Sequence, residues 1–319
     1  MKKIVLLILY TFIFTSCKNE KKLDISVSHI QIDITVNRFD VDFYATTEKT
    51  LPKTKKKYPL LFPINTPDSI WLAKIKSKDE QELFAETQKI FLSFDDEKQE
   101  LTSLFKHIKY YYPQFKFPKV ITMLTNLDYE NRVVYADSLL LVSLDAYLGK
   151  EHPFYGDYPK YIKENNHKKH IVVDVANTFI AKQFLPNLNR TFLGKIIYEG
   201  KKMYFLDAYL PQKTDKEKIG YSKEKLAWAL ANEEQVWKYF IEKKLLDSTN
   251  KELSKRFIDV APFSKFYLSE DNNSPGRIGL WLGWQIVRSF MKENTISLQE
   301  LLKITALDLL RKSKYKPKR

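Results

Sequence analysis

A single cysteine, Cys17, in a chain of 319 residues sets the first limit on what this sequence can fold into. No internal disulfide can form, and no zinc or iron–sulfur centre can be built on cysteine ligands. The folded part must be held by packing alone. Hydrophobic residues make up 44% and aromatic residues 14% of the chain, enough for a sizeable core and too much for a disordered one.

The position of Cys17 matters as much as its solitude. Lys2 and Lys3 give a positive start, Ile4 to Phe14 form an eleven-residue apolar run, and Thr15 and Ser16 are small residues directly before the cysteine. A secretory signal has this three-part form. A membrane-spanning helix needs about 20 apolar residues, so the run is too short to stay as an anchor. Small residues before a cysteine resemble a bacterial lipobox, which implies cleavage before Cys17 and lipid on the cysteine. The other reading is an ordinary signal peptide. Two or more acyl chains hold a protein stably on a membrane. The expected organisation is a signal peptide at 1–16, a lipidated Cys17 with a polar tether to 25, one α+β domain over 26–312 and a basic tail at 313–319.

The net charge is +14, and +12 once Lys2 and Lys3 leave with the leader. Only 8 of the 53 basic residues are arginine, the side chain that reads phosphates and base edges in bidentate fashion. The lysines are also scattered, so no nucleic-acid partner is expected. A solvated, lysine-rich surface near acidic lipids accounts for the charge. The runs Lys53 to Lys57 and Lys312 to Arg319 read as a loop and a frayed tail.

Ile30, Ile32, Ile34 and Val36 alternate as in a strand, and Phe39, Val41 and Phe43 continue it after a slip. Four prolines make 50–68 an irregular loop. Ser77 and Glu80 form a capping box before a helix with Leu83, Phe84, Ile90, Phe91 and Phe94; Leu101, Leu104, Phe105 and Ile108 mark the next. Strands are expected at Val120 to Leu124, Arg132 to Tyr135 and Leu139 to Leu144. Helices follow at 170–185, 193–209, 223–243, 251–258, 277–292 and 298–310, with a second capping box at Ser297 and Glu300. The fold class is α+β: a small mixed sheet and a mostly helical second half.

Polar residues with chemical potential gather on two of these helices. At 100° per residue, His170, Asp174 and Asn177 share a stripe, and Glu199 edges the apolar face of the following helix. A histidine four residues before an acid, with a glutamate on the next helix, is similar to the layout of zincin metallopeptidases. The general-base position of that layout is Ile171, which cannot take a proton from water. Two readings stay open: a vestigial or purely structural polar stripe, and an atypical His/Asp/Glu metal site. The run from Ser274 to Met291 is apolar nearly all round, and Gly279 and Gly283 allow another element to approach closely, as a core helix or the wall of a cleft. The chain carries neither a phosphate loop nor a Gly-x-Ser-x-Gly nucleophile elbow.

Several segments together resemble the gliding motility lipoprotein family GldB of the Bacteroidota: the lipobox ending at Cys17, Asn37-Arg-Phe-Asp40, Leu144-Asp-Ala-Tyr-Leu-Gly149 with Pro159-Lys-Tyr161, Ile197-Tyr-Glu-Gly-Lys201, and Pro275-Gly-Arg277 leading to Trp284-Gln-Ile-Val287. The resemblance implies a zincin-like fold without the HExxH signature. It also implies a non-catalytic envelope lipoprotein with no cofactor. The protein would be lipid-anchored on the periplasmic side of the inner or outer membrane, among other gliding-motility envelope proteins and the machinery of type IX secretion. The alternative is a lipid-anchored zinc metallohydrolase.

Overall fold

Four short strands make the only regular sheet among the described residues: β1 (Val36–Arg38), β2 (Lys119–Met123), β3 (Val133–Ala136) and β4 (Leu139–Ser143). The structure is a computed structural model that describes residues 25–318 except Asp137, so the leader, Cys17 and nearly all of the tether lie outside the described residues. The strand order is β1-β2-β4-β3. β1 and β4 flank β2 in parallel, with Val120 facing Val36 on one side and Leu140 on the other; β3 closes the edge antiparallel to β4. Val120, Ile121 and Thr122 of the central strand are all buried, as a strand covered on both faces should be.

Between β1 and β2 run α1 (Phe39–Tyr44), α2 (Leu51–Lys57), α3 (Asp68–Lys76), α4 (Lys78–Ile90) and α5 (Asp95–Tyr111). After β4 the chain is helical: α6 (Lys160–Lys163), α7 (Ile171–Gln183), α8 (Phe192–Tyr209), α9 (Asp215–Ile219), α10 (Lys223–Ala231), α11 (Glu233–Glu242), α12 (Glu252–Phe257), α13 (Ile278–Glu293), α14 (Leu298–Lys303) and α15 (Ala306–Ser313). The class is α+β, as the sequence pattern implies.

The departures have local causes. Phe39, Asp40, Phe43 and Tyr44 are buried at helical spacing while Val41 is exposed, so the expected strand is α1. The lysine run 53–57 is not a loop: α2 begins with Leu51 and Pro52, and a first-turn proline has no amide to lose. Ser77 caps α4 without a side-chain bond, because Glu80 turns inward to the Tyr44 hydroxyl and lies 3.2 Å from Lys74. The box at Ser297 does form, with Ser297 N donating to Glu300 Oε2 at 2.8 Å and Glu300 N to Ser297 Oγ at 3.2 Å. The helix expected over 223–243 breaks at Asn232, whose side-chain amide donates to Trp228 O at 2.8 Å. The one expected over 298–310 breaks where Thr305 caps α15. The C-terminal tail is anchored, with the Tyr315 hydroxyl 2.8 Å from Glu233 Oε1 and its ring against Trp237.

The helical half is built around α8 and α13. Fourteen of the 18 residues of α8 are buried. A Cβ added at Gly283 would lie 1.9 Å from Ile196 O, and one at Gly200 would lie 2.3 Å from the carbonyl carbon of Gly283. The two backbones touch, and only glycine permits it. Further along, Asp207 of α8 accepts from Trp284 Nε1 (2.8 Å), Arg288 Nε and Nη2 (both 2.7 Å) and Lys218 Nζ (2.8 Å). Arg288 also grips Asp215 through two bonds of 2.7 Å. Two acids and two bases thus neutralise one another inside the bundle.

Gly283→Ala is expected to lower stability by about 3 kcal/mol or to prevent folding, because two backbones would have to separate. Gly156→Ala, whose Cβ would meet one carbonyl oxygen at 3.3 Å from a right-handed backbone, should change it by less than about 1 kcal/mol. Urea unfolding monitored by tryptophan fluorescence distinguishes the two.

Candidate functional site

Asp174, in the first turn of α7, is the centre of the polar group that the sequence singles out. Its Oδ2 accepts from the Tyr147 hydroxyl at 2.8 Å and lies 3.2 Å from Arg132 Nε. Its Oδ1 lies 3.5 Å from Nε2 of His170, which stands one turn earlier as the last residue of a 3₁₀ turn, Lys168–His170. Arg132 Nη1 donates to Asn166 Oδ1 at 3.2 Å, and its guanidinium sits 5.6 Å from the centre of the Tyr147 ring.

The segment Leu144-Asp-Ala-Tyr-Leu-Gly149 places most of these groups. It leaves β4 as a 3₁₀ turn, and each residue has work. Asp145 is fully buried and accepts from the amides of Thr125 (3.1 Å) and Leu127 (2.7 Å). Those bonds hold Asn126 and Leu127 in the left-handed region, at φ of 62° and 64°, a conformation that a leucine rarely takes. Burial raises the Asp145 carboxyl above the usual range, and the two amide donors oppose the rise. Tyr147 reaches Asp174. Leu148 bridges to His167, and Gly149, at φ of 110°, donates to Asn166 O at 2.7 Å. The motif therefore ties the end of the sheet to the start of α7.

His170 and Asp174 come together as their spacing implies. Asn177 is on the exposed side of α7. Glu199 is engaged with Lys202 on its own helix, at 2.9 Å. Among the described residues no three His, Cys, Asp or Glu side chains gather in a way that could hold a metal ion, so the residues present do not assemble the zincin ligand set. Ile171, at the place of the general base, is buried in the core. Cys17 lies outside the described residues.

Arg132, Tyr147 and Asn166 are the partners that helix periodicity cannot find, since they come from a strand end and two loops. Tyr147 carried one signal, its place in the segment quoted above. Burial pushes the Tyr147 phenol well up, so it stays a donor. Burial also pushes His170 down to about 4, against the opposing pull of Asp174. The imidazole is neutral near pH 7, and the phenol and the guanidinium both meet Oδ2 of Asp174, while Oδ1 has the His170 ring at 3.5 Å.

A cavity of about 170 Å³ opens beyond the ends of β1 and β2, walled by Phe39, Phe43, Leu61, Trp71 and Met123. Its acid, Asp40, is already bound to Arg38 Nη2 (2.7 Å), Gln88 Nε2 (3.0 Å) and the Thr122 hydroxyl. No helix among the described residues is long and apolar enough to cross a membrane.

Comparison with known proteins gives one result: the model of a family described as gliding motility protein GldB matches residues 20–317. No curated protein and no solved structure matches.

Two outcomes follow from this geometry. Asp174→Ala leaves the Tyr147 hydroxyl and Arg132 without their acceptor and should cost about 2 kcal/mol, whereas Asn177→Ala on the exposed side should be near neutral. For pH, a histidine with a folded pKa of about 4 and an ordinary unfolded value near 6.5 binds more protons when unfolded. Its neutral burial is therefore harmless above about pH 6.5 and increasingly costly as pH falls toward 4, by roughly 3 kcal/mol in all. His170→Asn should flatten the loss of melting temperature across that window; a wild-type slope in the variant would contradict the assignment.

Proposed function

We propose, from the premise that the chain belongs to the GldB family of gliding motility proteins, that it serves gliding as a lipid-anchored envelope protein without catalysis. Its role is to assemble or stabilise the motility apparatus and the type IX secretion machinery linked to it. The family match over residues 20–317 is the observation that carries the reading. The leader-like segment before Cys17 supports the anchor and a position on the periplasmic side of the inner or outer membrane. The phenol and guanidinium on Asp174 Oδ2 and the buried Ile171 support a structural role for the His170 group.

The gene is to be deleted in its native host and restored as wild type, Cys17→Ser or Asn177→Ala. Wild type and Asn177→Ala should restore gliding and fractionate with membranes; Cys17→Ser should do neither. Normal membrane fractionation of Cys17→Ser would refute the anchor. Zinc should leave the melting temperature of the purified protein unchanged. Zinc-dependent peptide cleavage that is lost in Glu199→Ala would replace this reading with a lipid-anchored metallohydrolase.

A further inference from the structure

Leu60 and Ile64, between α2 and α3, and Ile70, in the first turn of α3, stand on one short stretch and are 77%, 99% and 56% exposed. An isoleucine with almost no contact to its own protein is unusual, and a group of three on one segment marks a surface meant to be covered. The stretch is not loose. Tyr58 and Phe62 alternate with the exposed residues and are buried, with ring centres 4.9 Å from Phe39 and 4.9 Å from Trp71 respectively. Pro59, Pro63 and Pro67 limit its backbone, and Lys55 Nζ meets Asp68 Oδ1 at 2.7 Å, closing the base. A rigid aromatic footing therefore holds the three apolar side chains away from the core.

The surroundings say what covers them. Residues 49–78 contain eight lysines against a single acid, Asp68. Lys55 and Lys57 are paired, with Asp68 and Asp42; Lys53 and Lys56 are exposed. All the cations are lysine, point charges suited to a diffuse negative sheet rather than to one bidentate ligand. Apolar side chains beside lysines are the composition of an interfacial membrane contact. We propose that this face docks on an anionic lipid bilayer, with Leu60, Ile64 and Ile70 in the headgroup region and Lys53 and Lys56 toward the phosphates. The inference deepens the membrane-anchored reading, since a tether of residues 18–24 reaches at most about 25 Å and would keep the domain beside the bilayer. The affinity of the face for lipid does not itself require acylation.

The test uses the full chain carrying Cys17→Ser, so that no acyl group contributes and a failed anchor cannot be confused with a failed surface. All variants share the leader, and co-sedimentation is measured with vesicles of phosphatidylcholine alone or with phosphatidylglycerol. Binding should require phosphatidylglycerol, weaken with added salt, and fall about tenfold in Ile64→Asp and in Lys53→Glu/Lys56→Glu. Leu188→Asp, an equally exposed leucine elsewhere, should change it by less than about twofold. An environment-sensitive dye on Ile64→Cys should be quenched by doxyl lipids, and one on Leu188→Cys should not. Equal binding by Ile64→Asp, or no dependence on anionic lipid, overturns the proposal. Unchanged vesicle binding, with loss of a co-purifying envelope protein in Ile64→Asp, would assign the face to a protein partner instead and also overturns it. Unaltered melting temperatures confirm that the surface variants fold.

Discussion

The contact between α8 and α13 is the constraint on which the helical half depends. Gly200 and Gly283 let two backbones touch, with Ile196 O against the Gly283 position. Once the axes are this close, the apolar faces of both helices must be completely buried, and they are. Helices α9, α12, α14 and α15 then pack against that pair: α12 approaches Gly279 through Phe257, and α15 lies against α13. Tight backbone approach also raises the cost of any unpaired polar group at the seam. Asp207 meets that demand by accepting from Trp284, Arg288 and Lys218.

Asp207 and Asp174 follow one rule in two places. Each carboxylate sits at a junction of elements distant in sequence and meets a guanidinium and a neutral ring donor there. A buried ion pair is weak evidence for stability but good evidence for one fixed arrangement, because removing either partner strands the other. Asp145 extends the rule to backbone, holding a turn that Leu127 would not otherwise adopt. The protein uses its internal acids to fix geometry.

The surface is organised differently. Lysines outnumber arginines throughout, and among the described residues strong apolar exposure coincides with dense positive charge on the platform from α2 to α3. Its aromatic footing is shared with α1, which the Arg38–Asp40 pair ties to the first strand. A load on the platform would thus pass to the sheet through packed rings, and from Asp145 and Tyr147 to α7.

The sequence by itself determined the class, most helices of the second half, the three later strands and the nearness of His170 to Asp174, because each depends on periodicity within one segment. Gly279 and Gly283 announced a close approach but not its partner. It did not determine that Phe39 to Tyr44 is a helix or that 50–68 holds α2 and the start of α3. Proline and short apolar runs fit either state, and the choice was made by packing around Phe62 and Trp71. The fates of Asn177 and Glu199 were likewise decided by tertiary structure: a helical wheel gives direction about one axis, and only the placement of the neighbouring elements says which direction is inward. Arg132 and Tyr147 reach Asp174 across 42 and 27 residues of chain, and Asn166 reaches Arg132 across 34, distances over which local pattern carries no information and only the closed fold does.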